Sequence, residues 1–255
     1  MRIFCIGDIV SAAGRRIISE KLEYFKEEKH IHLIIANGEN AAHGRGMTRK
    51  VYDELTECGI DAFTMGNHIW ESKDIYTLLK YKDNIVRPAN FEAGVPGRGS
   101  IIVGGKVGII NLVGRVYMEG FNSPFTAAER EIKFLQSKGI KIILVDFHAE
   151  ATSEKKAMGW FLDGKVSAVF GTHTHVQTAD EMILPNGTGY ITDIGMTGAI
   201  YSVLGRERNS IIERFVTGLP QKHEIADGKS ELCGIIFDID DETGKTTSLE
   251  RVRIV

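Results

Sequence analysis

Val166-Ser167-Ala168-Val169-Phe170-Gly171-Thr172-His173-Thr174-His175 is a short apolar run that stops in two imidazoles. A strand of this kind, apolar on both faces, belongs inside a mainly parallel sheet, and such sheets gather functional side chains at the carboxyl ends of their strands. The pattern recurs four times. Phe4-Cys5-Ile6-Gly7 stops at Asp8, and Leu33-Ile34-Ile35-Ala36-Asn37-Gly38 stops at Glu39-Asn40. Asp61-Ala62-Phe63-Thr64-Met65-Gly66 stops at Asn67-His68, and Ile142-Ile143-Leu144-Val145-Asp146-Phe147 stops at His148. Five buried-strand patterns therefore deliver carboxylate, amide or imidazole groups to one kind of position.

Amphipathic stretches alternate with these runs, which is the βαβ signal of an α/β fold. The spacing predicts helices over 14–29, where Ile17, Ile18, Leu22 and Phe25 recur, and over 49–58, with Thr48 as N-cap. Further helices are predicted over 72–82, with Ser72 as N-cap, and near 126–138. The segment 101–110 reads as a hairpin turning at Gly104-Gly105. Beyond 178 the chain reads mostly as strands, at 181–184, 189–192, 232–239 and 248–255. Parallel units followed by antiparallel strands predict two packed sheets with helices outside, in one domain over 1–255.

Composition narrows the class. With 43% hydrophobic and 25% charged residues, the 255-residue chain is an ordinary soluble protein with a sizeable core. A net charge of −3 and a pI near 6.3 exclude bulk attraction to nucleic acid or anionic membranes. Cys5, Cys58 and Cys233 are odd in number and far apart, so neither a disulfide framework nor a cysteine zinc site is indicated. Asp8 interrupts the apolar N-terminus, no small-residue cleavage site follows, and no window approaches the roughly 18 apolar residues of a membrane span. A cytoplasmic enzyme without membrane partners is expected.

Asp8, Glu39, Asn40, Asn67, His148, His173 and His175 together make a donor set suited to Mn, Fe or Zn. Seven groups exceed one tetrahedral site but suit two ions about 3.5–4 Å apart sharing a carboxylate, for which Glu39 is the candidate. Singly, each has a bland reading: Asp8 as a helix cap, Asn40 as a turn residue, Asn67-His68 as a loop, His148 as a core histidine. Their coincidence carries the metal reading. His173 and His175 are alternate residues, which in an extended segment face one way. Glu150 is a candidate acceptor for an imidazole N–H. His30 and His32 fall at the opposite sheet edge and His223 in a polar connection, so all three read as structural. The loop from Ala41 to Gly46 lacks the Lys-Ser/Thr ending of a P-loop. His43, Arg45, Trp70 and Arg115 are candidate substrate contacts without an assigned role.

In order, Gly7-Asp8-Ile9-Val10, Gly38-Glu39-Asn40, Gly66-Asn67-His68, His148 and Gly171-Thr172-His173-Thr174-His175 resemble the motifs of the calcineurin-like metallophosphoesterases. Two departures stand out: Val10 where that family has a metal-binding His, and Glu39-Asn40 in place of its Asp-x-x-Asp block. These departures are similar to the bacterial YmdB-like phosphodiesterases. So are His148-Ala149-Glu150-Ala151-Thr152, Asp193-Ile194-Gly195-Met196-Thr197-Gly198 and Arg214-Phe215-Val216-Thr217-Gly218-Leu219-Pro220. The resemblance runs along essentially the whole chain.

It implies a four-layer α/β/β/α sandwich of two mixed sheets with two iron or manganese ions, zinc being compatible with the same donors. Asp8, Glu39, Asn40 and His175 would hold one ion; Glu39, Asn67, His148 and His173 the other. His68 would be the general acid, and a hydroxide shared by the ions the nucleophile. The implied substrate is a small phosphodiester of the 2′,3′-cyclic nucleotide class, such as 2′,3′-cAMP. Alternatives are a phosphomonoesterase or protein phosphatase with the same centre, or a slow-turnover nucleotide-binding regulatory protein. RNA is a weaker partner, and the strands at 178–255 could support a homo-oligomer.

Overall fold

β1 (Arg2–Ile6) and the short β2 (Asp8–Ile9) lead into helix α1 (Ser11–Glu28). Then come β3 (Leu33–Asn37), α2 (Arg49–Glu57), β4 (Ala62–Thr64), a 3-10 turn at Ile69–Glu71, α3 (Asp74–Tyr81) and β5 (Ile85–Val86). β6 (Ser100–Val103) and β7 (Val107–Val113) form the hairpin around Gly104 and Gly105, both at positive φ. α4 (Pro124–Ser137), β8 (Ile142–His148), α5 (Thr152–Leu162) and β9 (Ala168–Thr172) follow. The chain finishes with β10 (Met182–Ile183), β11 (Gly189–Ile191), β12 (Met196–Ala199), α6 (Arg208–Thr217), β13 (Ser230–Ile239) and β14 (Thr246–Ile254). The structure is a computed structural model that describes residues 1–118, 122–222 and 224–255.

The first sheet runs β2-β12-β13-β1-β3-β4-β5, with β14 also on β13; the second runs β10-β11-β9-β8-β7-β6. β1, β3, β4 and β5 are mutually parallel, as are β7, β8, β9 and β11, while β13, β14, β6 and β10 pair antiparallel. Side chains alternate between faces along each strand. Phe4 and Ile6 of β1 therefore meet Ile18 and Leu22 of α1 and Leu55 of α2. Ile3 and Cys5 instead face Ile109, Leu144 and Phe170 of the second sheet. The far face of that sheet, including Ile143 and Val145, packs on Ala128 and Leu135 of α4 and Met158 of α5. This is the expected α/β/β/α sandwich of two mixed sheets.

Four local expectations need revision. Helix α1 begins at Ser11, three residues before the predicted start. Helix α3 begins at Asp74 with Lys73 at its N-cap, while Ser72 Oγ still accepts from Asp74 N at 3.3 Å. The 3-10 turn after His68 consumes the residues before it and pushes the helix start along. Helices α5 and α6 lie where no helix is predicted. Inward-facing Glu154 and Lys155 blur the apolar period of α5, and α6 buries only Ile211. The late strands are also shared out: β10 and β11 extend the second sheet, and β12 to β14 complete the first.

Candidate metal centre

Both sheets end their parallel strands at one edge, and all seven strand-end donors meet there. Gly7 makes the first turn possible, because a Cβ there would overlap Gly195 O. It carries the chain from β1 to Asp8, fully buried at the head of β2. Glu39 and Asn40 follow β3, Asn67 and His68 follow β4, His148 ends β8, and His173 and His175 leave β9. His173 N donates to Asp8 Oδ2 at 3.0 Å, which ties the last strand of the site to the first.

His148 Nε2 is the point of convergence. Glu39 Oε1 lies 3.0 Å from it, His173 Nδ1 3.0 Å and Asn67 Oδ1 3.1 Å. Ligand atoms of Glu39, His148 and His173 all fall within 4.8 Å of one another. A second group stands beside the first. His175 Nε2 lies 3.7 Å from Asp8 Oδ1 and 3.3 Å from Asn40 Nδ2, and Asn40 Nδ2 lies 3.2 Å from Glu39 Oε1. Glu39 thus borders both groups.

Electrostatics strain this arrangement when only protons hold it together. Burial pushes the Glu39 carboxyl up, but the His148 charge and hydrogen bond, with the His68 backbone N–H at 2.9 Å, outweigh it and hold Glu39 at about 2. Burial disfavours a His148 cation, yet Glu39, Asp8 and Asp146 raise it to about 9. Burial and then the His148 charge lower His173 to about 3. Burial raises Asp8 despite His175 and His148.

Two observations show that a cation fits. Asp8 Oδ1 is buried, and among the described residues it has no hydrogen-bond partner, which is costly for a carboxylate oxygen. Thr172 Oγ1 donates to Asp146 Oδ1 at 2.7 Å, so at 2.9 Å it accepts from His148 Nδ1–H. That tautomer leaves the Nε2 lone pair aimed into the cluster. Oxygen and imidazole donors around an orphaned carboxylate suit a divalent transition ion. For Asn40 to join, its amide must present Oδ1, because an NH₂ group donates and cannot ligate.

The supporting groups escaped sequence reasoning. Asp146 is a buried hub that accepts from Thr64 Oγ1, Thr172 Oγ1 and Asn37 Nδ2 and so joins the sheets beneath the site. Lys155 Nζ donates to Asp193 Oδ2 at 2.6 Å and to Thr172 O at 2.7 Å, with both side chains about 1% exposed. Asp193 also accepts from Thr174 Oγ1 at 2.7 Å and Gly195 N at 2.8 Å. This buried ion pair fixes a bent loop, with His173 at φ 96° and His175 at φ 64°. The two histidines therefore do not face one way from an extended segment. Each is turned to its own group by left-handed backbone, and that strain is borne by the ion pair. The visible signal was Asp193-Ile194-Gly195 after an apolar strand.

Glu150 Oε2 lies 3.1 Å from His173 Nε2, in the expected acceptor position. His68 keeps its ring half-buried, with Nδ1 3.7 Å from Glu71 Oε1. Trp70 packs on Tyr76 and Phe91, at centroid distances of 5.4 and 5.8 Å, so it serves an aromatic cluster. Arg115 is exposed, and its backbone N–H is held by Glu154. His43 is exposed at positive φ. His30 and His32 are exposed at the opposite sheet edge, where His32 Nδ1 accepts from Arg2 N. His223 lies outside the described residues.

A family model described as "YmdB-like protein" matches residues 4–252. The chain belongs to the YmdB-like family. A relative from Bacillus subtilis (strain 168), named 2′,3′-cyclic-nucleotide 2′-phosphodiesterase, is 49% identical over 100% of this chain and 97% of its own. Among solved structures, a hypothetical protein from Thermus thermophilus superposes with a TM-score of 0.92 at 40% identity, covering 100% of this chain and 99% of its own. A structure titled as a novel phosphatase from Mycoplasma pneumoniae gives 0.93 at 35% identity, covering 100% and 93%. The YmdB-like sandwich is thus what this chain shares in fold with these proteins, and no helix among the described residues is long and apolar enough to cross a membrane.

Proposed function

We propose that this YmdB-like protein is a metal-dependent phosphodiesterase whose substrates are 2′,3′-cyclic nucleotides such as 2′,3′-cAMP, working as one domain over 1–255. The observation that carries this reading is the full-length 49% identity to an enzyme bearing that activity in its name. The buried donor cluster supplies the chemistry. Asp8, Glu39, Asn40 and His175 would hold one ion and Glu39, Asn67, His148 and His173 the other, with iron or manganese favoured and zinc compatible with the same donors. Two such ions, when bound, would neutralise phosphate charge and make water acidic enough to supply a nucleophile near neutral pH.

The protein's own groups would do the rest. Thr172 and Asp146 keep the His148 Nε2 lone pair directed inward. The Lys155–Asp193 pair holds His173 and His175 at their angles. His68 is placed beside Glu39 by its backbone N–H, which leaves its ring free to give a proton to the ribose oxygen that departs from phosphorus. Asp8, Glu39 and His148 are buried, which shields the inner side of the centre from bulk water.

Comparing hydrolysis of bis-p-nitrophenyl phosphate and p-nitrophenyl phosphate on one metal-loaded sample tests this reading. Faster turnover of the diester is expected; turnover confined to the monoester would favour a phosphomonoesterase.

A further inference from the structure

Two arginines stand at the rim of the centre without holding it. Arg45 belongs to the loop that continues from Asn40, and Arg206 follows Leu204 by two residues. Arg45 Nη1 lies 3.6 Å from Glu71 Oε1, and the same oxygen lies 3.7 Å from His68 Nδ1. On the far side, His175 Nδ1 lies 3.2 Å from Leu204 O. Arg45 thus stands on the His68 side of the centre, and Arg206 on the segment that meets His175. Arg206 Nη2 donates to Gly44 O at 3.2 Å, which clasps it onto the loop that carries Arg45.

This placement is electrostatically unfinished. Arg206 is half-buried, and burial together with the neighbouring Arg45 charge lowers its pKa. Among the described residues no carboxylate forms an ion pair with Arg206, and Glu71 meets Arg45 only at a long 3.6 Å while also facing His68. Two planar forks held together with too little negative charge favour a phosphate, which guanidinium matches in geometry. The scissile phosphate belongs to the donor cluster, so a phosphate at the arginines is a second one on the same substrate.

We infer that Arg45 and Arg206 form a second-phosphate subsite, and that the favoured substrate is a nucleoside 2′,3′-cyclic phosphate carrying a further phosphate on its 5′ oxygen. This rests on the phosphodiesterase reading above. That chemistry occurs in a free 5′-phosphorylated cyclic nucleotide and at the cyclic-phosphate end of an RNA fragment. One subsite for one phosphate also agrees with an overall charge of −3, since no basic track for long RNA is needed.

The test uses the metal-loaded full chain with three substrates: 2′,3′-cAMP, its 5′-phosphorylated form, and the dinucleotide UpA ending in a 2′,3′-cyclic phosphate. Both doubly phosphorylated substrates should exceed 2′,3′-cAMP in kcat/KM by about ten- to a hundredfold, the scale of a charge-assisted hydrogen bond. In Arg45→Gln and Arg206→Gln that preference should collapse toward unity. Preference for the 5′-phosphorylated mononucleotide alone would assign the subsite to free nucleotides, and preference for both would assign it to RNA ends. Equal kcat/KM for all three in the wild type, or a preference intact in both variants, overturns the subsite. Because Arg206 also holds Gly44 O, the exposed Arg45 is the variant that separates binding from loop damage. Calorimetric binding of adenosine 3′,5′-bisphosphate against 3′-AMP needs no turnover. If every substrate is inert yet the bisphosphate advantage vanishes in the variants, the phosphodiesterase reading fails and the subsite stands.

Discussion

Gly66 is where a single atom decides whether the centre can form. A Cβ at this position would overlap both Glu39 Oε2 and the His148 imidazole. Gly66→Ala should therefore weaken metal binding by about 10–100-fold without removing a donor, as changes just behind the ligands do. Metal titration followed by equilibrium dialysis checks this, and wild-type affinity would show that the two donors need not approach so closely. His68→Ala should behave oppositely, lowering kcat by roughly 10²–10⁴-fold while metal content stays near wild type. Loss of metal in that variant would move His68 into the coordinating set. All seven candidate donors were legible as polar groups closing apolar runs, because strand ends in α/β sheets face a common edge. Their supports were not. Asn37 and Thr172 act through contacts between segments far apart in the chain and interrupt no local pattern, while Lys155 breaks the repeat of α5 without revealing its partner Asp193. The turn of His173 and His175 was hidden for a related reason: positive φ at a non-glycine residue leaves no mark in residue type.

At the level of elements, α5 explains both a missed helix and a stable loop. Its inward-facing Lys155 breaks the apolar repeat that would have announced the helix, and the same residue anchors the Thr172 to Thr174 turn. Lys155→Met should cost about 3–5 kcal/mol in chemical denaturation, because it leaves Asp193 buried and uncompensated. A loss below about 1 kcal/mol would mean that water or a rearranged Thr174 replaces the ammonium. The connection after His175 has its own clamp. Asp180 accepts from Lys156 Nζ at 2.7 Å, Thr178 Oγ1 at 2.7 Å and Thr192 N at 3.1 Å. Burial opposes its ionisation, but these bonds prevail and hold it at about 2. A folded pKa below the unfolded one stabilises the protein above about pH 4, and this contribution disappears as pH falls through about 2. Asp180→Asn should thus be less stable than wild type at about pH 7, with the gap closing on acidification. A gap independent of pH would assign the effect to shape, not charge. Helix α6 was missed although Ile211, Ile212, Phe215 and Val216 recur at helical spacing, and of these only Ile211 is buried.

Across the whole molecule, the centre exists only because two sheets pack with their carboxyl edges together. Asp8, Glu39, Asn40 and Asn67 come from the first sheet, and His148, His173 and His175 from the second. Asp146 on β8 binds Asn37 and Thr64 of the opposite sheet, so the polar floor of the site is also a seam of the sandwich. The layering was readable from continuous apolar runs, which signal strands covered on both faces. The division of the late strands between the sheets was not, since pairing partners are set by tertiary contact and by no local feature. If this seam holds two ions that serve phosphodiester hydrolysis, metal and activity must travel together. Elemental analysis of protein purified without chelator, with 2′,3′-cAMP hydrolysis assayed on the same sample, measures both at once. About two transition-metal equivalents per chain together with turnover are expected. Protein that binds no metal, and stays inactive after manganese or iron is restored, would contradict the dinuclear reading.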